Sequence, residues 1–75
     1  MKSLIEYIAK SLVEDPTEVK VNEQVRRGGV RIELSVADED MGRVIGRGGR
    51  VANAMRALLR VAAARQGTRA TLDII

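Results

Sequence analysis

The spacing of apolar residues switches several times along this chain, and each switch marks a change of element. Residues 3–13, SLIEYIAKSLV, place Leu4, Ile5, Ile8 and Leu12 at helical spacing, with Glu6 and Lys10 off that stripe. The pattern predicts a helix packed on a core, since its basic content is too low for a membrane-surface helix. The segment EDPT stops it, because the residue before Pro16 is driven out of helical geometry. The period then falls to two. Val19, Val21 and Val25 alternate with polar residues, RRGG follows, and Val30, Ile32, Leu34 and Val36 alternate again.

Taking Gly28-Gly29 as a two-residue turn, antiparallel pairing sets Val25 opposite Ile32 and Val21 opposite Val36. On the polar face Gln24 then meets Glu33 and Asn22 meets Ser35, while Glu23 falls opposite Leu34 on the apolar face. A hairpin with one buried face is expected. Next comes ADED, where Asp38 reads as a helix cap and Glu39 and Asp40 as partners of the helix's positive end. A magnesium site is the weaker reading, because no second carboxylate cluster is in view. The helix so begun holds Met41, Val44 and Ile45 before Gly46 ends it. A longer helix runs from about Gly49 to Gln66 and stops at Gly67. Ala70, Leu72 and Ile74 then alternate in a last strand. The order α-β-β-α-α-β predicts an α+β fold, a three-stranded sheet with helices packed on one face.

The long helix carries more apolar residues than one buried stripe needs. Val51, Met55, Leu58 and Ala62 form a stripe wide enough to cover the sheet. Ala54, Ala57, Leu59, Val61, Ala63 and Ala64 are left over, so Leu59 and Val61 are candidates for a dimer interface. Arg56 and Arg60 either rim that surface or extend a track for a ligand.

Composition narrows the chemistry. With 75 residues the chain fits one domain, and a domain this small buries only about 60% of its unfolded surface. There is no cysteine and no histidine, which removes thiolate nucleophiles, disulfides and the commonest metal ligand. No Ser or Thr sits near a plausible base, so neither an enzyme nor a bound cofactor or metal is expected. No apolar run approaches the roughly 18 residues of a membrane span, and no signal-peptide pattern opens the chain. A cytoplasmic protein is expected. Net charge is +3, but residues 1–40 hold six basic and nine acidic side chains, against seven arginines and one acid, Asp73, in residues 41–75. A basic half with almost no acids is the footprint of a polyanion binder.

That charge surrounds MGRVIGRGGR at residues 41–50. A Walker loop would need Lys-Ser or Lys-Thr after its last glycine, where Arg50-Val51 stands. A dinucleotide fingerprint counted from Gly46 and Gly48 meets Val51 where its last glycine belongs, and both motifs need a preceding strand. What remains is Gly46-Arg47-Gly48-Gly49 as a tight turn between two helices, open to another backbone and ringed by Arg43, Arg47 and Arg50.

The segment VIGRGGRVANAM, residues 44–55, resembles the signature of KH domains, V-I-G-x-x-G-x-x followed by an apolar residue, here Ala52. The order of elements is similar to the type II, prokaryotic form, and the resemblance spans essentially residues 1–75 as one KH domain. Its length is most like that of small bacterial proteins built on a single KH domain. The resemblance implies a clamp on about four nucleotides of single-stranded RNA. The implied binding residues are Arg43, Ile45, Gly46, Arg47, Gly48, Gly49 and Arg50, with Ile45, Val51 and a strand residue such as Ile32 or Leu34 lining an aliphatic groove. Ala52 is smaller than the isoleucine often found there, which implies a shallower groove floor. Tyr7, the single aromatic residue, counts against folds that stack bases on rings. Also implied are RNA-chaperone activity, a homodimer or a heterodimer with a second KH protein (KhpB, or Jag), and a link to cell envelope and cell length. The competing expectation is a protein-interaction module whose RNA site is vestigial.

Overall fold

A computed structural model describes residues 1–75. Its elements are α1 (Lys2–Leu12), β1 (Lys20–Arg26), β2 (Gly29–Ser35), α2 (Met41–Ile45), α3 (Arg50–Arg65) and β3 (Ala70–Ile74), with single 3-10 turns at Pro16–Glu18, Asp38–Asp40 and Arg47–Gly49. The α+β order is the expected one. The sheet order is β1-β2-β3, with β1 antiparallel and β3 parallel to β2. Alternation puts Val21, Ile32, Leu34 and Leu72 on the helix side, where they share one core with Ile5, Ala9, Val44, Met55 and Leu59. The other face is polar, and there Arg31 pairs with Asp73 at 2.8 Å and Glu33 at 3.3 Å. All three helices therefore lie on one side.

The hairpin register differs from the expected one by two residues. Val21 faces Leu34, Glu23 faces Ile32 and Val25 faces Val30, so the turn is Arg27-Gly28 rather than Gly28-Gly29. Gly28 supplies the left-handed residue at φ +110. Gly29 is needed inside the ladder instead, because a Cβ there would lie 2.8 Å from the Arg69 carbonyl oxygen. That carbonyl accepts the Val30 N–H at 2.8 Å and ties the hairpin to the turn after α3. A shift of two keeps every side chain on its face. Burial of that face is nevertheless incomplete: Val21 is the one buried residue of β1, and Val25 is 79% exposed because the helices end short of the hairpin tip.

The acidic segment also departs from expectation. No side chain caps α2, and Asp38 is exposed. Asp40 is buried and accepts the backbone N–H groups of Glu14 and Asp15, both at 3.1 Å. It clasps the chain leaving α1 to the start of α2.

On α3 the buried positions are Ala52, Met55, Leu59 and Ala63, one residue round from the expected stripe. Leu59 is fully buried, so it is removed from the candidate interface, and Leu58 takes its place on the surface at 52% exposed beside Val61 at 56%. Both stripes fit the 3.6-residue period and share Met55; packing on the sheet selects the one that runs through Leu59. Leu59→Ala should cost about 2–5 kcal/mol in urea unfolding, whereas Leu58→Ala should stay within about 0.5–1 kcal/mol.

Candidate nucleic-acid interface

Val44 anchors α2 in the core, which leaves the next residue, Ile45, turned outward at 38% exposed. The helix then closes with the Gly46 N–H bonded to the Gly42 carbonyl at 2.9 Å. Gly46 takes φ +76 and ψ 170, a region essentially reserved for glycine. A Cβ there would sit 2.6 Å from Val51 Cγ2 and 2.9 Å from its backbone nitrogen, so the chain crosses the first turn of α3 with no room for a side chain. Gly48 at φ +63 and Gly49 at φ +80 complete the reversal, and the Gly49 N–H returns to the Gly46 carbonyl at 3.1 Å. Around Gly48 there is open space. The turn thus holds Arg47 and Gly48 at the exposed crest.

No side chain caps α3, whose N-cap is Gly49. Its 16 residues present the positive end of their dipole at this crest, where the Arg50 N–H, like that of Gly49, is already bonded within the turn, to the Arg47 carbonyl. Arg47 and Arg50 are exposed and make no ion pair. Arg43 is different. Its Nη2 lies 2.8 Å from Glu14 Oε1 and its Nε 3.4 Å from Asp40 Oδ1, so its charge is largely answered within the fold. The groove residues divide as well. Val51 is half-buried against Gly46, while Ile32 and Leu34 are fully buried core residues that no ligand reaches. The sheet face they occupy is covered by the helices, and β1 and β3 are the two edge strands; the edge of β3 lies beside α3.

Along that edge runs a furrow between α3 and β3. Its first part, about 150 Å³, is lined by Arg56, Leu59, Arg60, Ala70, Thr71 and Leu72. The second, about 340 Å³, continues past Arg60 to Thr68 and Arg69. No acidic residue lines either part. Arg56 is fixed across the furrow: its Nε donates to the Leu72 carbonyl at 3.2 Å and its Nη1 to Asn53 Oδ1 at 3.2 Å. The four-residue spacing of Arg56 and Arg60 carried this signal in the sequence, but the partner strand needed to choose between rim and track was not visible there. On the far side of α3, Ala54, Leu58 and Val61 form an exposed apolar stripe.

Four similarities to known proteins fit this geometry. The sequence profile of the KhpA/KhpB KH domain matches residues 2–74. The RNA-binding protein KhpA of Clostridium acetobutylicum is 48% identical over 75 residues, which is 100% of both chains. That of Treponema pallidum is 46% identical over 74 residues, 99% of this chain and 92% of the other. A crystal structure of Aquifex aeolicus Era Y63A bound to GDP.AlF4- superposes with a TM-score of 0.69 over 97% of this chain and 28% of that one; at 15% identity it speaks for the fold alone.

The glycines are not equivalent, which gives a direct check on the loop. Gly46→Ala should destabilise the domain by more than about 2 kcal/mol, adding a clash with Val51 to the backbone strain. Gly48→Ala, in open space, should cost only about 1–2 kcal/mol. Thermal or urea unfolding of the two variants measures the difference.

Proposed function

The chain belongs to the KhpA/KhpB KH-domain family, and from that premise we propose that it binds single-stranded RNA through the Gly46–Gly49 loop. One observation carries the reading: three glycines with positive φ bring a bare backbone crest, the uncapped end of α3 and the unpaired Arg47 and Arg50 to the same point. A phosphate at that crest meets the positive end of the helix and two full charges, with no side chain at Gly48 to hold it away. Backbone contacts of this kind grip without reading sequence. Ile45 supplies an apolar contact beside the loop, and the furrow along β3 receives the strand as it continues. Arg43, tied to Glu14 and Asp40, acts chiefly to position the loop rather than to contact phosphate. The relatives are named RNA-binding proteins, which supports this reading over an enzymatic one.

The domain, residues 1–75, works in this reading as a cytoplasmic RNA chaperone in post-transcriptional control linked to cell envelope and cell length. No helix is long and apolar enough to cross a membrane. The stripe of Ala54, Leu58 and Val61 is the surface for a homodimer, or for a heterodimer with a KhpB-like KH protein. Two joined clamps bind one strand with an avidity that neither has alone. The alternative, an interaction module with a vestigial RNA site, draws on that same stripe but leaves the unpaired arginines and the open Gly48 of the loop without a use.

Replacing Arg47 and Gly48 together with Asp should abolish RNA binding in a folded protein. Aspartate is among the residues that tolerate left-handed φ, and Gly48 has space for it. Circular dichroism and fluorescence anisotropy check both halves, and unchanged affinity in the folded variant rejects the clamp. For the wild type, log K against log salt should have a slope of about −1.5 to −3, as two to four phosphate contacts require, and duplex RNA should bind worse than single strands. Val61→Glu or Leu58→Glu should give a folded monomer in sedimentation, with weaker RNA binding. A wild-type protein that sediments as a monomer at high concentration and captures no KH partner would remove the interface.

A further inference from the structure

The hairpin tip lies at the end of the sheet opposite the glycine loop. Val30 pairs with Ala70, so the start of β3 and the turn leading out of α3 meet the tip, while α3 runs back to place its N-terminus at the other end. There, Arg26, Arg27, Arg31 and Arg69 converge with Gly28 and Gly29 around a shallow cavity of about 350 Å³. No acidic residue lines it. Arg31 is neutralised by Glu33 and Asp73 on the polar face, but Arg26, Arg27 and Arg69 make no ion pair. Arg26 is oriented by its bond to Gln24 Oε1 at 2.7 Å, a neutral partner that leaves its charge intact.

Three exposed cationic side chains line one cavity here, and the fold gives them no carboxylate. The arrangement is also built closely. A side chain at position 29 would push Arg69 away, and the Val30–Arg69 backbone bond fixes the separation of tip and turn. The cavity opens on the polar face of the sheet and meets the furrow of the helix side at the β3 edge, where Arg69 and Thr71 line both. A strand leaving the furrow at Arg69 and turning round that edge reaches Arg26 and Arg27.

We propose that this hairpin tip is a second phosphate-binding surface, which holds the RNA backbone beyond the stretch gripped by the glycine loop. The proposal rests on the RNA reading above and extends it: the bound strand is longer than the roughly four nucleotides of a single KH clamp.

The test compares unstructured RNAs of about 4 and about 12 nucleotides in anisotropy titrations. The proteins are the wild type, Arg26→Gln/Arg27→Gln and Arg26→Lys/Arg27→Lys. Both positions are exposed and lie outside the loop and the furrow, and circular dichroism confirms the fold of each variant. The glutamine variant should lose on the order of tenfold in affinity for the long RNA at about 0.1 M salt, and its salt slope should become shallower by about 1.4. Its affinity for the short RNA should not change, and the lysine variant should bind both as the wild type does. Long-RNA affinity untouched by the glutamine substitutions, or an equal loss for both lengths, overturns the second surface and leaves the glycine-loop reading standing. A wild type that binds neither RNA overturns the glycine-loop reading itself.

Discussion

Helix α3 lies across the sheet on a stripe in which two small residues bracket two large ones, and the position of every functional group follows from that seating. Met55 and Leu59 fill the core, while Ala52 and Ala63 allow close approach at either end of the helix. The same rotation brings Arg56 and Arg60 over the open edge of β3 and turns Leu58 and Val61 to the opposite side. It also fixes where the first turn of α3 begins, and hence where Gly46 must pass Val51 without a side chain. The loop's shape is a consequence of packing.

Electrostatics then sort the arginines. The fold answers Arg43 with Glu14 and Asp40, and Arg31 with Glu33 and Asp73. Exposed pairs of this kind add little stability, about 0–1 kcal/mol each. Their effect is on distribution: they neutralise two of the surface cations. Apart from Arg65, the unpaired arginines then stand at the glycine loop, along the β3 furrow and at the hairpin tip. A polyanion approaching the molecule meets charge concentrated along that path rather than spread evenly.

Much of this was legible in the sequence because the periodic signals are local. The order of elements, the alternation in β2 and β3, and the loop between two helices each depend on near neighbours along the chain. What escaped depended on distant ones. Gly29 looked like a turn residue until Arg69, forty positions on, was seen to need its missing Cβ. Asp40 read as a partner of its own helix, although its two acceptor bonds reach back to Glu14 and Asp15. The exchange of Leu58 and Leu59 has the same origin, since two adjacent leucines offer two nearly equivalent stripes and the sheet chooses between them. Among the site residues, the glycines and Arg47 and Arg50 needed no tertiary information. The burial of Ile32 and Leu34, and the ion pairs of Arg43, did.

Backbone amide shifts recorded during titration with a single-stranded RNA of about four nucleotides test the central claim most directly. If the uncapped, side-chain-free crest of α3 is the grip, the largest changes should fall on Gly46 to Arg50, with smaller ones at Arg60, Thr71 and Leu72 along the furrow. Changes confined to the stripe of Ala54, Leu58 and Val61, or none at saturating RNA, would contradict it.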